Sequence, residues 1–232
     1  MYFLIQLGRT TLFLAPAAAL ILWARRRVGA ARTAGATDAG ISGGQAVAEI
    51  REIEGLTALP IELADGPFCN DYDPSAHVLR LSASVADGHS VLGLVTAARA
   101  AAQAARHMAG DRRGALLHPL GFALRLGIWA GAALMLAGVV MCEWNPIETG
   151  ALVTTASVVG VFPWLYVLER GHARLAETLL DRAGLVRPDD RRLATAASSA
   201  LPWVHAADLF GGPTNKRLRT SRVDDSQPRQ VG

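Results

Sequence analysis

Three apolar stretches constrain this chain more than anything else in it. They lie at Tyr2–Ala24, Leu120–Cys142 and Gly150–Leu168. Each is roughly 20 residues long, which is what a helix needs to cross a hydrocarbon core about 30 Å thick. The first is interrupted by Gln6, Arg9 and Pro16. A signal peptide has a similar apolar length, but Arg25-Arg26-Arg27 stands where a small-residue cleavage site belongs, so an uncleaved anchor is expected. In the second, Arg125 sits close enough to the start to snorkel to the headgroups. The third carries no charge, and its Pro163 is of a kind membrane helices tolerate. A mean hydropathy of +0.25 with only 19% charged residues fits a membrane protein with one modest polar domain. The same numbers exclude a disordered chain.

Arginine placement orients the spans. The connection Glu143–Thr149 holds Glu143 and Glu148 but no basic residue, whereas Arg25 to Arg27, Arg112, Arg113, Arg170 and Arg174 flank the opposite ends. The positive-inside rule then places the N-terminus and the hairpin tip outside, with 25–119 and 169–232 in the cytoplasm. The expectation is a multi-pass protein of the cell membrane whose polar domain is cytoplasmic. Its partners are the lipid bilayer and an unidentified protein, because a net charge of +3 is too small to argue for nucleic acid. Two cysteines, Cys69 and Cys142, make neither a disulfide framework nor a C-x-x-C zinc or redox motif.

The polar residues fall into short elements. Small residues over 28–40 read as a linker. Ser42 can cap a helix to about Glu54, with Val47, Ile50 and Ile53 on one stripe and Gly55 as its stop. Leu59–Leu63 alternates around Pro60, at best an edge strand. The run Asn70-Asp71-Tyr72-Asp73-Pro74 is turn chemistry, and His77–Leu81 alternates as a half-buried strand. Helix formers fill Ser90–Ala109, and Gly110 ends them. A second amphipathic helix with Leu175, Leu179 and Leu180 follows the hairpin and stops near Gly184. Residues 198–210 are too short to span and are expected on the membrane surface or packed on the domain, with Trp203 at the interface. Residues 211–232 read as a disordered tail.

The order of these pieces resembles the membrane-bound neutral zinc metallopeptidases of the YugP type. The matching residues are Ser42-Gly43, Tyr72-Asp73-Pro74, Val78-Leu79-Arg80-Leu81-Ser82, Ser90-Val91, Ala97-Ala98 with His107 and Gly110, and, past the hairpin, Glu169 and Gly184-Leu185. The resemblance covers roughly residues 40–190. It implies a mainly α fold with a small α+β zincin-like cytoplasmic domain and about three transmembrane helices. The expected division is 1–27 anchor, 28–40 linker, 41–119 zincin-like domain, 120–168 hairpin, 169–210 helices completing the domain, and 211–232 tail.

The departure from the family lies in the chemistry. A zincin places two histidines at i and i+4 on one helical face to bind zinc, and the intervening glutamate activates the bound water. Here those positions hold Arg99, Ala100 and Gln103, and only Glu169, the third-ligand position, still matches. Arginine keeps its proton and alanine is no base, so zinc is expected to be lost and no residue is assigned a catalytic role. The resemblance implies that an arginine beside a carboxylate left by the metal would pair with it, giving an Arg99–Glu169 ion pair. Otherwise Arg99 points to water and Glu169 pairs with Arg170 or Arg174. Three readings stay open at this stage: an inactive homologue with a structural or partner-binding role, a hydrolase with a metal site rebuilt from His107, Glu169 and His172, and a membrane structural protein unrelated to zincins. Taken alone, Arg99, Gln103 and Arg106 read as a solvated helix face, and His77, His89, His118 and His205 carry no spacing signal.

Overall fold

The computed structural model describes residues 2–34, 37–64, 69–210 and 221–222. In chain order the elements are α1 (Tyr2–Ala34), α2 (Gly43–Ile53), β1 (Ile61–Leu63), β2 (Asp71–Asp73), β3 (Val78–Leu81), α3 (Ala83–Ala86), α4 (Val91–Met108), α5 (Leu117–Met141), α6 (Trp144–Arg182), α7 (Arg191–Phe210) and β4 (Ser221–Arg222). Single 3-10 turns at Arg112–Leu116 and Pro188–Asp190 precede α5 and α7. The chain divides into two compact units. One comprises Met1–Thr33, Arg112–Gly171 and Ser199–Gly212; the other comprises Ala34–Asp111, His172–Ser198 and Pro213–Gly232.

The first unit is built from apolar helices. Three of them are long and apolar enough to cross a membrane: Leu4–Ala24, Arg112–Met141 and Trp144–Arg182. Among the described residues, a helix long and apolar enough therefore stands at each expected span; the second and third run past the expected bounds, and the first begins at Leu4 rather than Tyr2. Helix α1 continues through residues expected to be linker, and α6 is unbroken where separate elements were expected before and after Glu169. The turn between α5 and α6 is only Cys142-Glu143, with Cys142 in the left-handed region at φ 56°. Glycine lets these two helices meet. A Cβ on Gly131 would stand 2.1 Å from Thr154 Oγ1, and one on Gly150 would stand 2.4 Å from the Gly131 carbonyl oxygen. Arg9 reaches Glu148 at 3.8 Å, and the Thr155 hydroxyl donates to the Phe13 carbonyl.

Trp203 departs from expectation. It is buried against Ala24 and Phe162, with ring centroids 4.2 Å from Trp23, 5.3 Å from Phe162 and 5.0 Å from Tyr166. An indole surrounded by rings from α1 and α6 gains packing that a lipid interface cannot supply. Residues 199–210 thus group with the apolar helices of this unit.

The second unit is a small helix-and-sheet layer. Ser42 caps α2 in a full capping box, its hydroxyl accepting from the Gln45 amide while the Gln45 side chain accepts from the Ser42 amide. The buried stripe of α2 is Gly43, Ala46, Val47 and Ile50; Ile53, expected on it, is exposed. Helix α4 lies at the centre, packed by α2 and α3 and by strands β2 and β3. Its Ala97, Ala98, Ala100, Ala101, Ala102 and Ala104 are fully buried. Alanine suits such a helix because a bare methyl lets neighbours approach on every side at no rotamer cost.

The sheet runs β2-β3-β1-β4. Strand β1 pairs parallel to β3, with Ile61 opposite Leu79, and antiparallel to β4, with Glu62 opposite Arg222. It is therefore an interior strand rather than an edge. Pro60, which has no amide to give, lies just outside β1 and contributes its carbonyl to Leu79 at 2.9 Å. Strand β2 forms a hairpin with β3, Tyr72 opposite Leu79, from residues expected to be a turn. The turn chemistry belongs to the next residues: Asp73 Oδ1 accepts from the Ser75 and Ala76 amides. Within the expected tail, 211–220 and 223–232 lie outside the described residues, and Ser221–Arg222 is strand.

Candidate functional site

The face of α4 that meets β2 carries the side chains of interest. Ser90 fixes the helix start, its hydroxyl accepting from the Gly93 amide at 3.1 Å, and Gly110 ends it at φ 90°. Between those ends, Arg99, Gln103 and His107 recur every four residues and so share one face.

Arg99 and Gln103 do not form a solvated face. They are 3% and 2% exposed. The Arg99 guanidinium donates to the Asn70 carbonyl and stands 3.5 Å from Asp71 Oδ1, a carboxylate itself 2% exposed. Gln103 Oε1 accepts from the Tyr72 amide at 3.3 Å, an amide that also reaches Asp71 Oδ1 at 3.0 Å. Both helix positions are thus committed to the backbone and side chains of β2. Asn70 is held in turn, its Oδ1 accepting from the amide and hydroxyl of Ser82 at 2.8 and 3.0 Å. Gln103 Nε2 is buried without a hydrogen-bond partner among the described residues.

One turn further along, His107 meets two other rings. Its centroid lies 5.4 Å from Tyr72 and 5.7 Å from His77. The Tyr72 hydroxyl and His77 Nδ1 are 3.0 Å apart. Burial, and then the nearby Asp73 charge, push the Tyr72 hydroxyl pKa up. Burial also opposes charge on Asp73, but the Ala76 and Ser75 amides and the Arg80 guanidinium outweigh it and hold the carboxyl below its ordinary range. Arg80 Nη1 reaches Asp73 Oδ2 at 2.7 Å. Arg106, also expected in water, is partly buried and reaches Asp111 at 3.5 Å.

The remaining predicted residues are divided between the units. Glu169 belongs to the first, and Arg99, His107 and His172 to the second. Glu169 and His172 are buried, 1% and 2% exposed. Among the described residues, no group of three or more His, Cys, Asp or Glu side chains is placed to hold a metal ion. The sequence reading missed Asp71, Tyr72 and His77. Their signal was an acidic residue and a tyrosine next to each other in what proves to be a strand.

A family profile described as "Putative neutral zinc metallopeptidase" matches residues 10–207. The chain belongs to this family. A relative, the "Putative membrane protease YugP" of Bacillus subtilis (strain 168), is 25% identical over 170 residues, which cover 72% of this chain and 75% of the relative. No solved structure matches. The metallopeptidase family implies zinc, and the side chains at the helix positions that the resemblance assigns to the metal do not offer a donor set that fits it. A guanidinium offers hydrogen-bond donors only, Ala100 offers nothing, and the Gln103 carbonyl oxygen is engaged by β2.

Proposed function

We propose that this member of the metallopeptidase family is a catalytically inactive membrane homologue whose polar part serves as a folded scaffold or as a binding surface for another protein. One observation carries the reading: Arg99 and Gln103 are buried, Arg99 against Asn70 and Asp71 and Gln103 on the Tyr72 amide, at the helix positions the resemblance assigns to metal. A guanidinium paired with a carboxylate contributes a fixed cross-link between helix and strand, a structural service. The reading includes an ion pair between Arg99 and Glu169. It also takes the polar part to be zincin-like, because a strand precedes a helix of the right order, and cytoplasmic, because arginines flank the spans on that side.

The activity test uses the purified full chain in detergent with casein and a peptide library, with and without chelator. The expected result is no chelator-sensitive hydrolysis. Stoichiometric zinc with chelator-sensitive cleavage would overturn the proposal. For orientation, a membrane-impermeant thiol reagent on intact cells should label a cysteine placed at Asn145 and spare Cys69; equal labelling of both rejects the topology.

A further inference from the structure

We propose that His77 and His107, with Tyr72 as a positioning residue, form a binding site for a divalent late first-row transition ion, copper(II) above all, apart from the helix positions of the family's zinc. Four observations on this unit converge. The two imidazoles approach with centroids 5.7 Å apart. His107 Nδ1 is buried and has no hydrogen-bond partner among the described residues, an arrangement that costs free energy unless something meets that nitrogen. His77 is held in the left-handed region at φ 53°, a conformation a side-chain-bearing residue adopts at a cost. The turn that bears it is pinned by Asp73, whose Oδ1 accepts from the Ser75 and Ala76 amides at 2.8 and 3.1 Å, and that fixes where the imidazole projects.

The donor set selects the ion. Neutral imidazole nitrogens suit copper, nickel and zinc, and affinity for a nitrogen site peaks at copper(II). Ligating histidines commonly donate their other ring N–H to a fixed acceptor, which sets the tautomer and the ring plane. The Tyr72 hydroxyl, 3.0 Å from His77 Nδ1, takes that place and leaves His77 Nε2 as the coordinating nitrogen. With two protein nitrogens the ion keeps water in its remaining positions. His107 lies in the last turn of α4, where the C-terminal end of the helix favours positive charge.

The test uses tag-free full chain in detergent, titrated with copper(II) and followed by calorimetry and by electron paramagnetic resonance. One equivalent should bind with a dissociation constant in the micromolar range, and the spectrum should show two imidazole nitrogens. His77→Asn, which tolerates the positive φ, and His107→Gln should each weaken binding at least tenfold and leave one nitrogen or none. Tyr72→Phe should weaken it severalfold while keeping both nitrogens. Each variant is checked for native circular dichroism, and the surface position of His77 keeps the test open if His107→Gln fails to fold. Binding absent from the native chain, or unchanged in His77→Asn, overturns the proposal. So does a nitrogen count that Arg99→Ala alters and His77→Asn does not.

Discussion

Removing the Arg99 guanidinium should unlock α4 from β2. The charge stands 3.5 Å from Asp71 Oδ1, with side-chain exposures of 4% and 2%. At an effective dielectric constant of ~20, an attraction over that distance is about 5 kcal/mol before desolvation is subtracted. The subtraction removes much of this, so the pair adds little against an apolar replacement of both residues. Breaking it from one side is different, because the buried carboxylate then loses this counter-charge. Arg99→Met is therefore expected to cost about 3–5 kcal/mol. Asp71→Asn in the same background should recover about half of that loss, since the amide needs no counter-charge. At roughly 2–4 °C per kcal/mol for a chain of this size, the single variant melts at least about 6 °C lower. Differential scanning fluorimetry in detergent, read as a double-mutant cycle over native chain, both single variants and the double, gives the coupling. An Arg99→Met loss under about 1 kcal/mol, or strictly additive losses, would refute the claim that this pair holds helix to strand.

The expected Arg99–Glu169 pairing has its own cycle: Glu169→Gln and Arg99→Met should be non-additive by about 1–3 kcal/mol, and additivity rejects it. Gly131→Ala places a Cβ 2.1 Å from Thr154 Oγ1 and should destabilise the α5–α6 hairpin by about 1–3 kcal/mol in a thermal melt, whereas Gly160→Ala, with nothing within 4 Å, should be neutral or slightly stabilising. Asp73 titrates below its ordinary range when folded, so its contribution is complete above pH ~3.9 and is lost as pH falls through the lower folded value. The melting difference between native chain and Asp73→Asn should accordingly shrink below about pH 4; a constant difference down to pH 2 contradicts this.

Apolar length and capping chemistry were legible in the sequence because they act locally. The cap at Ser42 and the stop at Gly110 need only neighbours in the chain, and both are where their spacing put them. The spans were equally readable, though not their ends, since α6 has no internal signal that would break it near Glu169. What could not be read depends on distant partners. Residues 71–73 look like a turn until β3 supplies a ladder. Trp203 looks like an interface residue until rings from α1 and α6 surround it. At the site, the family resemblance assigned the motif positions on α4, but the contacts of Arg99 with Asp71 and Asn70 come from β2 and the residue before it, about 29 residues away in the chain. His77 and His107 likewise gave no spacing signal, because a fold and not a helical period brings them together.

Arg99 and Asp71 are not free to drift separately over generations. Losing the arginine alone takes a counter-charge from a buried carboxylate, and losing the aspartate alone takes one from a buried guanidinium. Each route passes through an ancestor poorer in stability by several kcal/mol, enough to lower the amount of folded protein in a cell. The two positions should therefore change together across the descendants of this chain, with an acidic residue at 71 wherever 99 is arginine and a neutral one wherever it is not. A histidine could be accommodated at position 99 only where position 71 had first been neutralised, so the strand, as much as the helix, decides what α4 can carry there.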